Sequence, residues 1–193
     1  MTYPTWGQKL IWEDLVEREG RYYQKFTDVP FSGEISGQKS GKLKNGKRSG
    51  TWLSYYENGQ LNFKENYKDG KKEGLWEHYF ENGQLFRRGN YKNGKLYGRW
   101  ESYFDNGEVS INNYKEGESD GLVEYFNEFG QLVTRGLYKN GKFDGRWESY
   151  WDNGKLKSVR NFKEGIRDGN VETFKEDGSL EIFEIWKNGV KQE

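Results

Sequence analysis

Acid–base and nucleophilic chemistry have little to work with in this chain. It holds one histidine, His78, and no cysteine. Without a second His or any Cys, most nucleophile–base pairs are unavailable. No His, Cys or carboxylate cluster has the spacing of a metal site. Glutamates recur at Glu77, Glu101, Glu124, Glu148 and Glu172. Two of them on neighbouring strands would make the paired acids of glycoside hydrolysis, but they return from unit to unit, whereas an active site is singular. The Lys-Asn-Gly-Lys segments are not phosphate loops, because no Walker spacing follows them. His78 stands where other units carry Ser54, Ser102 and Ser149, so it reads as a tolerated variant. The expectation is a protein that is not an enzyme and uses no cofactor or metal.

The elements that would position any site come from a repeat. Gly50-Thr-Trp-Leu-Ser-Tyr-Tyr-Glu-Asn-Gly-Gln-Leu opens a unit that is written again from Gly74, Gly98, Gly121, Gly145 and Gly169. The spacing is 24 residues, with one 23-residue step from Gly98 to Gly121. A fixed period of this length marks a repeat array. The expected fold is all-β: an elongated, single-layer antiparallel meander of repeated β-hairpins. Residues 1–30 fall outside the period and read as an N-terminal cap. They contain a short hairpin turning at Glu19-Gly20, and Trp6, Leu10, Ile11 and Trp12 are expected to pack on the first repeat. Residues 31–193 then hold one partial and about six full units of about 24 residues.

Each unit offers two strands, Thr51–Tyr56 and Leu61–Tyr67 in the first. Asn58-Gly59 between them is the hairpin signal of a two-residue type I′ turn. The second turns are Asp69-Gly70, Asn93-Gly94, Glu116-Gly117, Asn140-Gly141, Glu164-Gly165 and Asn188-Gly189. Glu tolerates positive φ poorly, so only the Gly is expected to be left-handed there. A two-residue first turn puts Tyr56 opposite Leu61, Ser54 opposite Phe63 and Trp52 opposite Glu65, and opposed residues share a face. One face would then carry Trp52, Tyr56, Leu61, Phe63 and Tyr67, with Trp76, Phe80, Leu85 and Tyr91, then Trp100, Phe104 and Val109, then Val123, Leu132 and Tyr138, then Trp147, Trp151, Leu156 and Phe162. This is the expected core face. The other is charged but keeps one ring per unit: Tyr55, Tyr79, Tyr103, Phe126, Tyr150 and Phe174. That stripe is the expected partner-binding surface.

The first turns carry Glu57, Glu81, Asp105, Glu128, Asp152 and Glu176, and the second Lys68, Lys92, Lys115, Lys139, Lys163 and Lys187. Hairpins stacked in register would have one acidic edge and one basic edge. A longer rhythm of 47 residues relates Gly74–Gly107 to Gly121–Gly154. Later units depart from the pattern: Val123 and Val171 replace Trp, and Asn127 and Lys175 replace the ring at Tyr56. At these departures either the array is less regular or the face is open to a partner.

Composition narrows the partner. Lys plus Arg and Asp plus Glu are 31 each, which argues against nucleic acid and against strong attraction to anionic lipid. Aromatics make up 18 % of the chain while all hydrophobics reach 32 %, enough to face a thin sheet but not to fill a thick core. The absence of cysteine excludes a disulfide framework. The N-terminus lacks the basic start and apolar run of a signal peptide, and no apolar stretch reaches spanning length, so a cytoplasmic location is expected. An uncovered sheet edge at 180–186 would favour self-association.

The unit Gly-x-Trp-x-x-Tyr-Tyr/Phe-x-Asn-Gly-Gln-Leu…Tyr-Lys-Asn-Gly-Lys-x-x-Gly resembles the bacterial variant of the MORN repeat, as found in YwqK-type antitoxins. Glu17–Tyr23 followed by Pro30–Gly33 looks like the lead-in of those proteins. The resemblance covers residues 14–193. It implies single-layer antiparallel sheets that serve as protein-binding scaffolds, sometimes lipid-associated, and a partner toxin that is neutralised. It brings no catalytic motif. The resulting expectation is a protein-binding module of antitoxin or immunity type. The alternative is a glycan-, choline- or lipid-binding envelope-associated module or a structural scaffold, since spaced rings also cage quaternary ammonium groups.

Overall fold

The computed structural model describes residues 10–193; Trp6 lies outside them. The chain divides into two compact units, Met1–Lys95 and Leu96–Glu193. Both are sheets of consecutive antiparallel hairpins, to which Leu10–Ile11 adds one parallel pairing with Ile35 and Ser36 in the first. Among the described residues the only helical element is a 3₁₀ turn, Trp12–Asp14.

In the first unit Gly33–Ser36, Lys39–Lys44, Lys47–Tyr55, Leu61–Lys68, Gly74–Tyr79 and Leu85–Lys92 follow one another as a meander. In the second, Val109–Lys115, Gly121–Phe126, Leu132–Lys139, Lys142–Tyr150, Leu156–Lys163, Ile166–Phe174 and Leu180–Lys187 do the same.

The two turn types are the reverse of the sequence expectation. In the first turn only Gly59 is left-handed, at φ 83°. Gly59 N–H donates to the Tyr56 carbonyl at 3.0 Å and Tyr56 N–H to the Gln60 carbonyl at 2.8 Å. This is a three-residue loop closed by a left-handed glycine. Asn58 is there for its side chain: its Oδ1 accepts the Gln60 N–H at 2.9 Å. The second turns are the two-residue ones. Lys68 pairs directly with Lys71, leaving only Asp69 (φ 51°) and Gly70 (φ 82°) to reverse the chain. Glu116 and Glu164 are left-handed too, at 52° and 53°. The flanking pairing forces this geometry on them despite the side-chain cost.

The longer first turn changes the faces. Trp52 opposes Glu65 and Ser54 opposes Phe63 as expected, but the register then shifts and Leu61 opposes Tyr55. The same shift pairs Tyr79 with Leu85, Phe126 with Leu132, Tyr150 with Leu156 and Phe174 with Leu180. Leu61, Leu85, Val109, Leu132 and Leu156 therefore lie on the ring-stripe face, not with the tryptophans. In the unit from Gly98, Tyr103 opposes Val109 with no shift. The 23-residue step is the unit that lacks the bulge residue.

Within each unit the hairpins stack in register. Asn58 Nδ2 reaches the Glu81 carbonyl of the next first turn, and Asn153 Nδ2 that of Glu176, each at 2.9 Å. At the other edge Gly70 N–H donates to the Arg48 carbonyl and Gly165 N–H to that of Phe143. Each unit thus has an acidic first-turn edge, while at the second-turn edge the lysines are interleaved with carboxylates such as Asp69, Glu73, Glu116, Asp120, Glu164 and Asp168.

The longer rhythm has a packing cause. Trp52 and Trp147 lie across the preceding strand, and each indole N–H donates to a carbonyl ten residues earlier, Lys42 and Leu137. A Cβ at Gly41 would stand 2.3 Å from the Trp52 ring. On alternate strands that position holds Glu65, Asn112 and Arg160 instead. The second turns follow the same rhythm. Asn93, Asn140 and Asn188 each donate a backbone N–H to a carboxylate, of Glu73, Asp120 and Asp168. Where Ser49 or Tyr97 replaces that carboxylate, the turn residue is Asp69 or Glu116.

The N-terminal segment covers the tryptophan face of the first repeats. Leu15–Arg18 and Arg21–Gln24 form a hairpin, and Tyr22 N–H donates to the Gly46 carbonyl at 2.8 Å. Leu10 packs with Ile35, Leu43 and Trp52. The Trp12 ring meets Trp52 edge-on at 5.5 Å, with the Arg48 guanidinium 4.9 Å from both rings. Trp52 is left 1 % exposed.

Candidate partner-binding groove

The expected ring stripe exists. Tyr55, Tyr79, Tyr103, Phe126, Tyr150 and Phe174 occupy equivalent register positions, and all are half-buried. Each leans on the aliphatic residue opposite it. The glutamates beside them are not a loose solvated face. Tyr103 Oη donates to Glu101 at 3.0 Å, and Arg99 pairs with the same carboxylate at 2.9 Å. Tyr150 Oη donates to Glu148 at 2.8 Å, and Arg146 Nε and Arg135 Nε complete its shell. Such pairing is what allows these carboxylates to be buried. Burial pushes the Glu148 carboxyl up, but the bonds from Arg135 and Tyr150 and the charges of Arg135 and Arg146 outweigh it and hold it below its ordinary range.

The tryptophan face differs between the two units. In the first, the position opposite Trp52 is Glu65, a buried carboxylate. It accepts Tyr67 Oη at 2.9 Å, lies 3.8 Å from Arg48, and its other oxygen is 2.9 Å from His78 Nε2. Burial, together with the Glu65 charge and against that of Arg48, pushes the Tyr67 phenol up to about 12. The His78 ring stacks on Trp76 at 5.7 Å. The histidine is thus part of a structural network whose partner, Glu65, sequence reasoning did not single out.

In the second unit the corresponding position opposite Trp147 is Arg160. On the next strand Val171 occupies the tryptophan position. Around Arg160 this face holds a groove of about 490 Å³, sharing Thr134, Ser149, Ser158 and Arg160 with a second hollow of about 250 Å³; Val171 itself is buried and lines neither. Ser149, Ser158, Thr134 and Thr173 form the floor of the groove, and Trp147 and Trp151 stand beside it. The two serine hydroxyls bond each other at 2.8 Å, and Thr134 Oγ1 donates to the Glu148 carbonyl at 2.8 Å. Thr173 Oγ1 is buried without a partner.

Three cations border the groove. The Lys157 ammonium lies 4.2 Å over the Trp151 ring, and the Arg167 guanidinium 4.9 Å over Trp186. Lys157 is the bulge residue of its hairpin, skipped in the pairing between Leu156 and Ser158. Arg160 was not foreseen from the sequence, although aligning the units shows it. The positions opposite the tryptophan site read Glu65, Gly89, Asn112, Gly136, Arg160 and Glu184, so Arg160 is the one cation of that series.

Among the described residues no group of three or more His, Cys, Asp or Glu is placed to hold a metal, and no helix is long and apolar enough to cross a membrane. Four segments, residues 48–69, 72–93, 119–140 and 143–164, match the family model of the MORN repeat variant. Together they span somewhat less than half of the chain and support a MORN-repeat protein, a repeat module of a generally binding kind. Val171 and Thr173 lie beyond the matched segments. No curated protein matches the chain.

Proposed function

We propose that this chain is a non-catalytic protein-binding module whose partner docks in the tryptophan-face groove of the second unit. One observation carries the reading: a groove on this face is walled by Trp147 and Trp151 and bordered by Arg160, next to the strand on which Val171 replaces the ring. Half-buried Trp and exposed Arg side chains around a depression are the usual makings of an interface hot spot. The antitoxin resemblance makes a neutralised cytoplasmic protein the first partner class to test. The ring stripe from Tyr55 to Phe174 is the second candidate surface, and its Tyr150 and Phe174 also line the larger hollow.

Arg160→Gly combined with Val171→Trp rebuilds in the groove the arrangement of Gly136 and Trp147, and so closes it without breaking the repeat pattern. Affinity capture from the source cells is compared for wild type, this double variant and the triple variant Tyr79→Ser, Tyr103→Ser, Tyr150→Ser. The expected result is a stoichiometric protein held by wild type and lost on closure, at an unchanged melting temperature. Retention by the closed variant and loss by the triple variant would move the docking face to the stripe. Capture of no protein, with retention on glycan or lipid arrays, would replace this reading by the envelope-associated one.

A further inference from the structure

Resting on that reading, we infer that the groove of the second unit recognises an extended acidic segment of its partner, with Arg160 as the anchoring cation. In the first unit Arg48, at the position of Arg167, is consumed by the fold: it serves Glu65, Tyr67 Oη and the rings of Trp12 and Trp52. Arg160 has no hydrogen bond, ion pair or ring contact among the described residues, and it borders both hollows. The Lys157 and Arg167 side chains lie over the rings of Trp151 and Trp186, and the Arg167 charge also acts on Glu184.

The acids nearby are committed. Glu148 is held by Arg135, Arg146 and Tyr150. Glu184 accepts from Lys191 and the Trp186 indole, at 2.8 and 2.9 Å. Only Glu181, at the outer rim, lines the groove without a partner. Three cations therefore face one uncommitted carboxylate, a local positive field that the zero net charge of the chain conceals.

The spacing suits an extended chain. Arg167 lies opposite Phe162, two residues along from Arg160. With a rise of about 3.3 Å per residue and strands about 4.8 Å apart, the two Cα atoms are separated by roughly 8 Å. Same-side residues of an extended peptide are about 7 Å apart. Carboxylates at alternate positions then reach both guanidinium groups, where bidentate pairing is strong. Rings and cations together also suit single-stranded nucleic acid. A long polyanion, however, would run into the carboxylates of Glu128, Asp152 and Glu176 along the first-turn edge, which a short acidic segment avoids.

The test is fluorescence anisotropy on the full chain with three labelled probes: a peptide of alternating Glu and Val, its Lys–Val counterpart, and oligo-dT of equal length. The expected result is binding of the Glu–Val peptide alone, weaker at higher ionic strength. Arg160→Gln should reduce it about tenfold or more, with Arg160→Lys keeping part of the affinity. Arg160 is exposed and makes no contact, so both variants should melt as wild type does. Equal binding of the two peptides, preference for oligo-dT, or no effect of Arg160→Gln would overturn the inference. If neither peptide binds while a captured protein is still lost on closing the groove, the acidic-segment inference fails and the docking reading survives.

Discussion

A Cβ added to Gly136 would stand 2.1 Å from the Trp147 ring, which lies across that strand and donates its indole N–H to the Leu137 carbonyl at 3.0 Å. The glycine is the space the ring needs. Arg160 takes the corresponding position one hairpin later. A ring over glycine covers the sheet at Gly136, while Arg160, followed by Val171 instead of a ring, borders the groove.

Gly136→Ala should therefore destabilise the second unit. No rotation of a rigid indole clears a contact that short, and overpacking of this kind costs about 1–3 kcal/mol. Urea titration followed by tryptophan fluorescence measures it. An unchanged midpoint would mean the Trp147 ring does not lie over Gly136.

Glu164 is left-handed at φ 53°, beside Gly165 in a two-residue turn. Asn accepts that conformation more readily and already stands at Asn93, Asn140 and Asn188. Glu164→Asn should raise stability by up to about 1 kcal/mol, the cost of αL for an ordinary side chain being about 1–2 kcal/mol. A thermal melt that falls instead would place the turn in another geometry.

Glu148 titrates below its ordinary value because Arg135, Arg146 and Tyr150 outweigh its burial. A carboxylate with a lowered folded pKa stabilises fully above the unfolded value, near 4.5. That contribution disappears as pH falls through the folded value. Glu148→Gln should thus be less stable than wild type at neutral pH, with the gap narrowing below about pH 4.5. Denaturant midpoints measured from neutral to acid pH test this; a constant gap would show that the ion pairs contribute nothing.

Trp100 is 4 % exposed, and Trp100→Ala should cost about 3–5 kcal/mol. The triple replacement of Tyr79, Tyr103 and Tyr150 by Ser should cost less per site, about 1 kcal/mol at Tyr79 and about 1–3 kcal/mol at Tyr103 and Tyr150, whose hydroxyls bond the buried Glu101 and Glu148. Paired calorimetric melts rank the two faces; a larger effect of the stripe would reverse which face holds the sheet together.

The repeat, its hairpins, the tryptophan line and the ring stripe were legible from the residues alone. Period and alternation record which side chains must share a face, and Trp52, Trp76 and Trp100 lie buried as that alternation requires. Turn geometry was not legible, because Asn-Gly suits both a two-residue and a three-residue loop, and hydrogen bonding across the strand ends decides between them. That choice moved Leu61, Leu85, Val109, Leu132 and Leu156 to the other face. The replacement of Trp by Val171 could be seen in the sequence as a break in pattern. Only the tertiary structure placed it next to a groove, because Trp147, Trp151 and Arg160 come together across neighbouring strands. The same packing left Arg160 beside that space without a partner, while Glu65, at the corresponding position, was enclosed by Arg48, Tyr67 and His78.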